Sequence, residues 1–340
     1  MNKLQVGVVG CGYWGPNLIR NYVELPTSNV LAVADLQEDR LAHIKSVYPT
    51  IKTTKDYQDL FAMPVDAVVV ASTPDTHFRI ARDCLEHNMH VFVEKPMTLN
   101  SRDAEELTEM AEARGLVLMV GHTFEYNPAV RALRQIIQGG ELGQIYYVDS
   151  VRASLGLFQR NLNVLWDLAP HDISILMYIL GRDPISVSAQ GAANVFKGKC
   201  DIVYLHLVFP DNIVAHVHVS WLDPCKVRRT TIVGSRKMVV YDDVEALEKI
   251  KIYDKGVEAL PYTDSFGDFQ CSYRYGDVVI PNIRFVEPLR VECQHFLECI
   301  LNHTEPQSSG RVGLKVVKVL EMADRSLQNS GHCEVIDDSR

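Results

Sequence analysis

The sequence predicts an α/β protein with two domains, one built on a parallel sheet and the other on a mixed or antiparallel sheet. Over residues 1–122, short apolar runs alternate with amphipathic helical segments, as in strands joined by crossover helices. After residue 122 the strands instead alternate polar and apolar residues, which is typical of a sheet with one solvated or partner-facing surface. We therefore predict domains at residues 1–122 and 123–340.

A glycine loop follows the first predicted strand, the apolar run at residues 6–9. Gly10, Gly12 and Gly15 have the G-x-G-x-x-G spacing, and a helical segment begins at residue 16. Gly10 permits a tight turn, Gly12 lets the backbone approach a pyrophosphate, and Gly15 lets the helix pack close to the sheet. The first N–H groups of that helix have no intrahelical acceptor, so its N-terminus favours a diphosphate.

The second predicted strand, residues 30–34, ends at Asp35, which lies 20 residues beyond Gly15. A dinucleotide-binding fold places an acid there to accept hydrogen bonds from the adenosine ribose. Such a carboxylate repels the 2′-phosphate of NADP. The alternative is a solvated residue at the end of a strand, but strand, glycines, helix and acid all occur in order. We therefore predict an amino-terminal Rossmann domain that binds NAD.

The rest of this domain completes a six-stranded, doubly wound sheet. After Ser101, a candidate N-cap, a helix is predicted as far as Arg114, with Gly115 as its C′ residue. Further helices are predicted at residues 38–47 and 76–87, and further strands at residues 67–71, 90–94 and 116–120.

Two loops stand at the carboxyl ends of strands, where such sheets bind ligands. The loop at residues 72–77 is either a helix-start turn capped by Thr73 or Asp75, or a loop under the nicotinamide-side ribose; both descriptions are compatible. The other loop places Lys95 at the end of an apolar strand, unlike a solvated surface lysine. The residues predicted to bind the cofactor are Gly10, Gly12, Tyr13, Trp14, Gly15, Asp35, Ser72, Thr73, Pro74, His77, Glu94, Lys95 and Pro96.

The second domain is predicted to begin with a helix at residues 128–138 and a strand at residues 145–154. An apolar helix then ends at Leu180 before Gly181, and an edge strand is predicted at residues 249–253. The segment at 256–288 is poor in strong patterns, and we interpret it as a long excursion. Remaining strands are predicted at residues 185–189, 202–209, 213–220, 228–233 and 237–242, and closing helices at 288–303 and 313–328.

Asp167 and His171 are four residues apart near the start of the apolar helix and therefore share one face. Pro170 between them suits a first turn. A carboxylate paired with an imidazole fixes the ring and favours its charged form, which suits a general base for an alcohol proton. Equally, Asp167 could cap the helix and His171 could be a core histidine. A nearby lysine ammonium would stabilise the developing charge on the same oxygen.

Composition limits the partners. The formal charge of −9, from 34 basic and 43 acidic residues, argues against free nucleic acid or an anionic membrane as the main partner. The eight cysteines show no C-x-x-C pair and no zinc-ligand spacing, so no metal is expected. Without a signal peptide or an apolar run long enough to span a membrane, we expect a reduced, cytoplasmic protein.

The chain resembles the Gfo/Idh/MocA family of NAD(P)-dependent sugar and polyol oxidoreductases over nearly its whole length. Three motifs carry this resemblance: the segment of residues 8–15, Glu94-Lys95-Pro96, and Asp167-Leu-Ala-Pro-His171. It implies a Rossmann domain followed by an α/β domain whose large open sheet mediates dimer or tetramer contacts. It also implies that Lys95, Asp167 and His171 form the catalytic set.

The wording of residues 12–18, 170–174 and 287–296 resembles the nucleotide-sugar branch of the family, in particular UDP-N-acetylglucosamine 3-dehydrogenases, which make a 3-keto sugar for a partner aminotransferase. Arginines of the second domain, such as Arg152 and Arg228, could supply charge for a substrate diphosphate. The preferred substrate-binding residues are Tyr126, Asn127, Arg160, Asn161 and Asn163.

Four alternatives remain open from the sequence. The enzyme could be an NADPH-dependent ketoreductase acting on a deoxy-sugar nucleotide, although Asp35 argues against NADPH. It could oxidise an inositol or another free sugar. Lys95 could itself be the base if burial lowered its pKa strongly. A catalytically idle, dinucleotide-sensing protein is also conceivable, although it would not need Lys95, Asp167 and His171 together.

Overall fold

The computed structural model describes residues 3–259 and 271–336. Contacts between Cα atoms divide the chain into two units. Unit 1 comprises Met1–Tyr126 and Val286–Glu321, and unit 2 comprises Asn127–Phe285 and Met322–Arg340. The two units are defined by how the chain packs, and the chain returns to unit 1 at Val286. The domain boundary that the sequence suggests at residue 122 stays a prediction.

Unit 1 contains a six-stranded parallel sheet with the strand order β3-β2-β1-β4-β5-β6. Its strands are β1 (Leu4–Val9), β2 (Ser28–Ala34), β3 (Lys52–Thr54), β4 (Ala67–Val70), β5 (His90–Glu94) and β6 (Leu118–Gly121). This is the order of a doubly wound dinucleotide-binding sheet, and the predicted Rossmann fold is confirmed. The sequence did not locate β3, because this three-residue strand lacks an apolar run.

The helices are close to the predicted ones. They are α1 (Gly15–Glu24), α2 (Glu38–Val47), α3 (Pro74–Glu86), α4 (Ser101–Ala113), α5 (Pro128–Gln138), α6 (Val164–Leu180), α7 (Pro288–Asn302) and α8 (Gly310–Gln328). The predicted N-cap of α4 was wrong by one residue: Asn100, not Ser101, accepts the N–H of Asp103 at 2.8 Å. Gly115 has φ +64° after this helix, as its predicted C′ role requires.

The core of unit 1 includes one face of α7. Leu289, Phe296 and Ile300 are buried in one cluster with side chains of β1, β2 and α1. Phe296 meets Phe92 of β5 edge to face, with their ring centroids 5.8 Å apart. Burying this apolar face stabilises α7 on the sheet.

Unit 2 contains a nine-stranded sheet with the order β14-β13-β12-β11-β7-β10-β9-β8-β15. Among these neighbours, β7 and β10 are parallel and the other pairs are antiparallel. The mixed sheet confirms the predicted class. Its strands are β7 (Ile145–Ala153), β8 (Ser186–Ala192), β9 (Ile202–Phe209), β10 (Ile213–Ser220), β11 (Val227–Gly234), β12 (Met238–Asp242), β13 (Ile250–Ala259), β14 (Cys271–Val279) and β15 (Glu334–Val335).

Two sequence-based interpretations of this sheet were wrong. The strand predicted at residues 249–253 continues to Ala259, and it lies between β12 and β14 rather than at an edge. The segment 256–288, interpreted as an excursion, contains β14; its residues 260–270 lie outside the described part of the chain. The alternation signal is missing because most of β14 is exposed, including Tyr273 and Tyr275.

Helix α6 begins earlier than the sequence suggests. Asn163 is its N-cap and accepts the N–H of Trp166 at 3.1 Å. Pro170 therefore lies inside the helix, and its predicted place in the first turn was wrong. Gly181, with φ +65°, ends the helix as predicted. No helix within the described ranges is long and apolar enough to cross a membrane.

Candidate functional site

The glycine loop of unit 1 has a backbone that side chains would disrupt. Gly10 has φ +95°, and a Cβ there would lie 2.5 Å from the carbonyl oxygen of Ala71 on the neighbouring strand end. A Cβ on Gly15 would collide with the carbonyl oxygen of Gly10. Trp14 caps α1 without a side-chain hydrogen bond, so no cap side chain occupies the amides of the first turn. These features suit a diphosphate at the start of α1.

Asp35 holds the glycine loop to the end of β2. Its carboxylate accepts the N–H of Cys11 at 2.8 Å and the N–H of Gln37 at 2.9 Å. Arg40 approaches the same carboxylate, with Nη1 3.6 Å from Oδ2. Each carboxylate oxygen can accept a further hydrogen bond, so these contacts leave capacity for ribose hydroxyls. Contact between Asp35 and the cofactor remains a prediction.

His77 connects the two predicted cofactor loops from inside the protein. Its Nδ1 is 2.9 Å from the carbonyl oxygen of Pro96, and its Nε2 is 3.2 Å from that of Ser72. Burial lowers the pKa of His77. The side chain is fully enclosed, so the structure places it as a support between the loops. Thr73 is the N-cap of α3 without a side-chain hydrogen bond, while Pro74 begins that helix.

Glu94 ends β5, and Lys95 and Pro96 follow it at the carboxyl edge of the parallel sheet, where this fold binds its ligands. The peptide bond before Pro96 is cis. Lys95 is half-buried, unlike a solvated surface lysine. Its backbone N–H donates to the Glu94 carboxylate at 3.3 Å. Tyr13 and Trp14, the other side chains predicted to meet the cofactor, are exposed in the glycine loop.

In unit 2, Asp167 and His171 are half-buried on one stripe of α6, while most of that helix is fully buried. The indole N–H of Trp221 donates to Oδ2 of Asp167 at 3.0 Å. Asp167 thus belongs to the helix body, and the cap position that the alternative interpretation gave it belongs to Asn163. Sequence reasoning missed Trp221, which is 54 residues away from Asp167 and has no motif of its own.

The residue after His171 fixes α6 to the sheet. Nε of Arg152 on β7 is 2.6 Å from Oδ2 of Asp172, and Ser150 donates to Oδ1 at 2.9 Å. Both Arg152 and Asp172 are buried. Arg152, which the sequence offered as a diphosphate ligand, is therefore engaged in a structural ion pair. Arg228 contacts Asp243 at 3.4 Å.

The predicted substrate-binding residues lie in different environments. Tyr126 is buried in unit 1, and its hydroxyl is 3.0 Å from Oγ of Ser308. Asn127 caps α5 by accepting the N–H of Ala129 at 2.9 Å. Arg160 and Asn161 are exposed in the loop before α6, next to the N-cap Asn163. Their role in substrate binding remains a prediction.

Metal ligands do not cluster in the described part of the chain: no group of three or more His, Cys, Asp or Glu residues there could hold an ion. All eight cysteines are free thiols. The arrangement therefore offers proton transfer by an imidazole and a carboxylate in unit 2, and a dinucleotide cradle with an adjacent lysine in unit 1.

Comparison with known proteins matches both parts of the chain to the same family. Residues 4–122 match the oxidoreductase family with an NAD-binding Rossmann fold, GFO_IDH_MocA. Residues 130–240 match the GFO/IDH/MocA C-terminal domain.

Among similar proteins, the UDP-N-acetylglucosamine 3-dehydrogenase of Acidithiobacillus ferrooxidans is 26% identical, covering 93% of this chain and 95% of the relative. The myo-inositol 2-dehydrogenase of Thermotoga maritima is 24% identical, covering 96% of each chain. The solved structure of the UDP-N-acetylglucosamine 3-dehydrogenase GnnA from A. ferrooxidans superimposes with a TM-score of 0.79 at 25% identity, over 97% of this chain and 99% of that one.

Proposed function

Since the chain belongs to the Gfo/Idh/MocA oxidoreductase family and has its NAD-binding Rossmann domain, we propose that it oxidises a secondary hydroxyl of a nucleotide sugar. The proposed substrate is a UDP-amino sugar such as UDP-N-acetylglucosamine, and the proposed product is its 3-keto form. The observation that carries this proposal is the similarity to a UDP-N-acetylglucosamine 3-dehydrogenase along 93% of the chain.

The placement of Asp167 and His171 on one stripe of α6 supports proton removal in this reaction. In the proposed roles, His171 accepts the hydroxyl proton, and the Asp167 carboxylate orients the ring and favours its charged form. Trp221 holds Asp167 through the 3.0 Å hydrogen bond, so the carboxylate keeps one direction. Arg152 and Asp172 fix the helix on which both groups lie.

Lys95 is assigned to the reacting oxygen. Its ammonium donates a hydrogen bond to this oxygen and stabilises the charge that develops as the proton leaves. Gly10, Gly12, Gly15 and Asp35 would hold NAD, which, when bound, supplies the hydride acceptor. His171 is preferred to Lys95 as the base because an ordinary lysine titrates near ~10.4.

The proposed function also implies two kinds of partner, an enzyme that consumes the product and further copies of this chain. A 3-keto sugar is the substrate that an aminotransferase needs, so such an enzyme is the proposed consumer of the product. The long open sheet of unit 2, with exposed Tyr204, Tyr147 and Tyr273, supports a homo-oligomer, a dimer or a tetramer.

A free polyol is the second candidate substrate. The similarity to a myo-inositol 2-dehydrogenase, 24% identical over 96% of this chain, favours it. The two candidates differ in one chemical respect, because a nucleotide-sugar enzyme needs contacts to a diphosphate and a base.

A substrate panel tests the proposal. The purified protein is incubated with NAD and either UDP-N-acetylglucosamine, other UDP-sugars, or myo-inositol, and the absorbance of NADH is followed. We expect reduction with a UDP-amino sugar and competitive inhibition by UDP. Turnover of inositol that UDP does not inhibit would replace the proposal with the polyol candidate, and no turnover of any hydroxyl substrate would contradict both.

A further inference from the structure

The interior of unit 1 holds an acid that the proposed reaction does not use. Glu292 on α7 is 0% exposed. Its Oε2 accepts the hydroxyl hydrogen of Thr123 at 2.7 Å, while its Oε1 is buried without a hydrogen-bond partner in the described part of the chain. A carboxyl group in such a place needs an explanation, because a fully buried charge without a cation partner is strongly disfavoured.

Glu94, directly before Lys95, is a second acid here: the residue is half-buried, but its Oε1 is enclosed. Its Oε1 also lacks a hydrogen-bond partner within residues 3–259 and 271–336. Gly121, its register partner on β6, leaves the space that this carboxyl occupies. A Cβ at residue 121 would lie 3.0 Å from Cδ and from both carboxylate oxygens of Glu94.

His122 follows Gly121 and is 1% exposed. Neither ring nitrogen of His122 has a hydrogen-bond partner among the residues described. Thus β5, β6 and α7 bring two carboxyl groups and an imidazole into the interior beside the carboxyl edge of the sheet. Lys95 joins this group, which we call the acid cluster: Glu94, Lys95, His122 and Glu292.

The charges within the acid cluster are coupled. Burial raises the pKa of Glu94 to about 7, although Lys95 and a hydrogen bond from Trp14 lower it. Burial, and then Glu94, raise the pKa of Glu292 well above its ordinary value. Burial, and then Lys95, lower the pKa of His122 to about 3. Near neutral pH, His122 is therefore neutral and Glu94 exchanges a proton. Full burial, with no cation bonded to it among the described residues, favours the neutral, protonated form of Glu292.

Other ionisable groups face this cluster from neighbouring elements. Burial raises the pKa of Tyr22 on α1 and of Cys293 on α7 well above their ordinary values, so both stay protonated at neutral pH. Tyr126, also buried, has a raised pKa for the same reason. Glu125 acts on Glu292 electrostatically and raises its pKa. None of these four groups supplies a positive charge that could balance a carboxylate of the acid cluster.

We propose that Glu94 and Glu292 form one acid pair in which Glu292 keeps its proton and Glu94 exchanges one, and that the oxidation state of the bound nicotinamide determines whether Glu94 carries this proton. The inference rests on the proposed function, and on the prediction from the sequence that Glu94 is one of the cofactor-binding residues. The cationic ring of NAD⁺ favours the Glu94 carboxylate, whereas the neutral ring of NADH favours the protonated acid. Because protonated Glu292 carries no charge, Glu94 is the member of the pair that becomes an anion beside Lys95.

The sign of the effect follows from linkage. At low pH both complexes contain protonated Glu94, and the pair does not discriminate between the two cofactor forms. At high pH Glu94 is charged in both complexes and stabilises only the NAD⁺ complex electrostatically. The ratio of Kd for NADH to Kd for NAD⁺ should therefore rise with pH through about pH 7.

Cofactor binding without substrate tests this inference. Both dissociation constants are measured by calorimetry from about pH 5.5 to about pH 8.5, and we expect their ratio to rise about tenfold, which corresponds to one pKa unit of coupling. Calorimetry of the wild-type protein near pH 7 in two buffers of different ionisation enthalpy counts the protons exchanged. Proton uptake when NADH replaces NAD⁺ supports the pair without any variant.

Three variants separate the pair from general packing. Glu94→Gln should make the ratio independent of pH, whereas Glu292→Gln, which mimics the protonated acid, should keep the wild-type midpoint. Glu109→Gln, an exposed acid on α4, is the matched control. A pH-independent ratio and no proton exchange in the wild type would overturn the inference while leaving the proposed substrate untouched. Failure of the sugar panel with an intact pH-dependent ratio would overturn only the substrate.

Discussion

In unit 1 the predicted cofactor residues lie at the ends of parallel strands and are fixed largely through backbone atoms, while in unit 2 Asp167 and His171 lie on a helix fixed by distant side chains. Asp35 accepts two backbone N–H groups, and His77 contacts two backbone carbonyl oxygens. Asp167 instead depends on the indole of Trp221. We call the cofactor residues of unit 1 the backbone-built site, and Asp167 with His171 in unit 2 the side-chain-built site. Variants should therefore affect the two sites differently.

The largest expected effect concerns chemistry in unit 2. His171→Ala should reduce kcat by about 10²–10⁴-fold, because general-base catalysis contributes that much. Dissociation constants for NAD should stay at the wild-type value, since the cradle lies in unit 1. Steady-state kinetics and NAD titration measure both quantities, and His332→Ala, an exposed histidine, is the control. Full activity in His171→Ala would remove this residue as the base.

Next comes the ion pair that anchors α6. Asp172→Asn leaves Arg152 buried without its countercharge, so we expect a loss of about 3–5 kcal/mol in the free energy of unfolding, measured with urea. The exposed pair of Arg182 and Asp211 is the matched control. Asp211→Asn should cost at most about 1 kcal/mol. Equal losses in both variants would mean that burial does not strengthen the inner pair.

The backbone-built site is tested at Gly10. Gly10→Ala should cost about 2–3 kcal/mol, because a left-handed backbone and a contact with Ala71 both oppose the methyl group. Gly115→Ala has φ +64° and nothing within 4 Å of the new Cβ, so it should cost only about 1 kcal/mol. Weaker NAD binding, by about tenfold or more, should appear in Gly10→Ala alone. Indistinguishable stabilities and affinities would show that the contact with Ala71 is harmless.

A smaller effect is expected for Trp221→Phe, which removes the N–H donor but keeps an aromatic ring. The hydrogen bond to a charged group is worth about 1.5–3 kcal/mol, so kcat should fall roughly 10–100-fold. The acidic limb of the kcat profile against pH should also shift, since Asp167 would hold His171 less well. KM for NAD should not change. A stability loss with an unchanged pH profile would make Trp221 purely structural.

The sequence located the elements that carry the backbone-built site more fully than the side-chain contacts of the other site, for a physical reason. The glycine loop and Asp35 are specified by local spacing and strand order, so a short pattern identified them. Trp221 and Arg152 reach α6 from other strands, and their positions depend on sheet register that a single sequence does not reveal. Asn163 illustrates a partial signal, because its capping role is local although α6 began earlier than predicted.

Acid stability provides a further test, and it concerns unit 1. The pKa of His122 is lowered to about 3 from 6.5. The folded state therefore loses His122-dependent stability as the pH falls from about 6.5 towards about 3, with a slope near 1.4 kcal/mol per pH unit. His122→Gln should remove this slope in urea unfolding, whereas His332→Gln should retain it. Parallel curves for wild type and His122→Gln would contradict burial of a neutral ring.

Because residue 121 is a glycine, a single substitution there could change the position of the Glu94 carboxyl group. An alanine there would displace the Glu94 carboxyl by steric contact alone, since its methyl carbon would lie 3.0 Å from three atoms of that group. No catalytic or cofactor-binding residue would change its identity. Evolution or an engineer could thus alter how strongly the interior holds a proton by adding one carbon atom on a neighbouring strand.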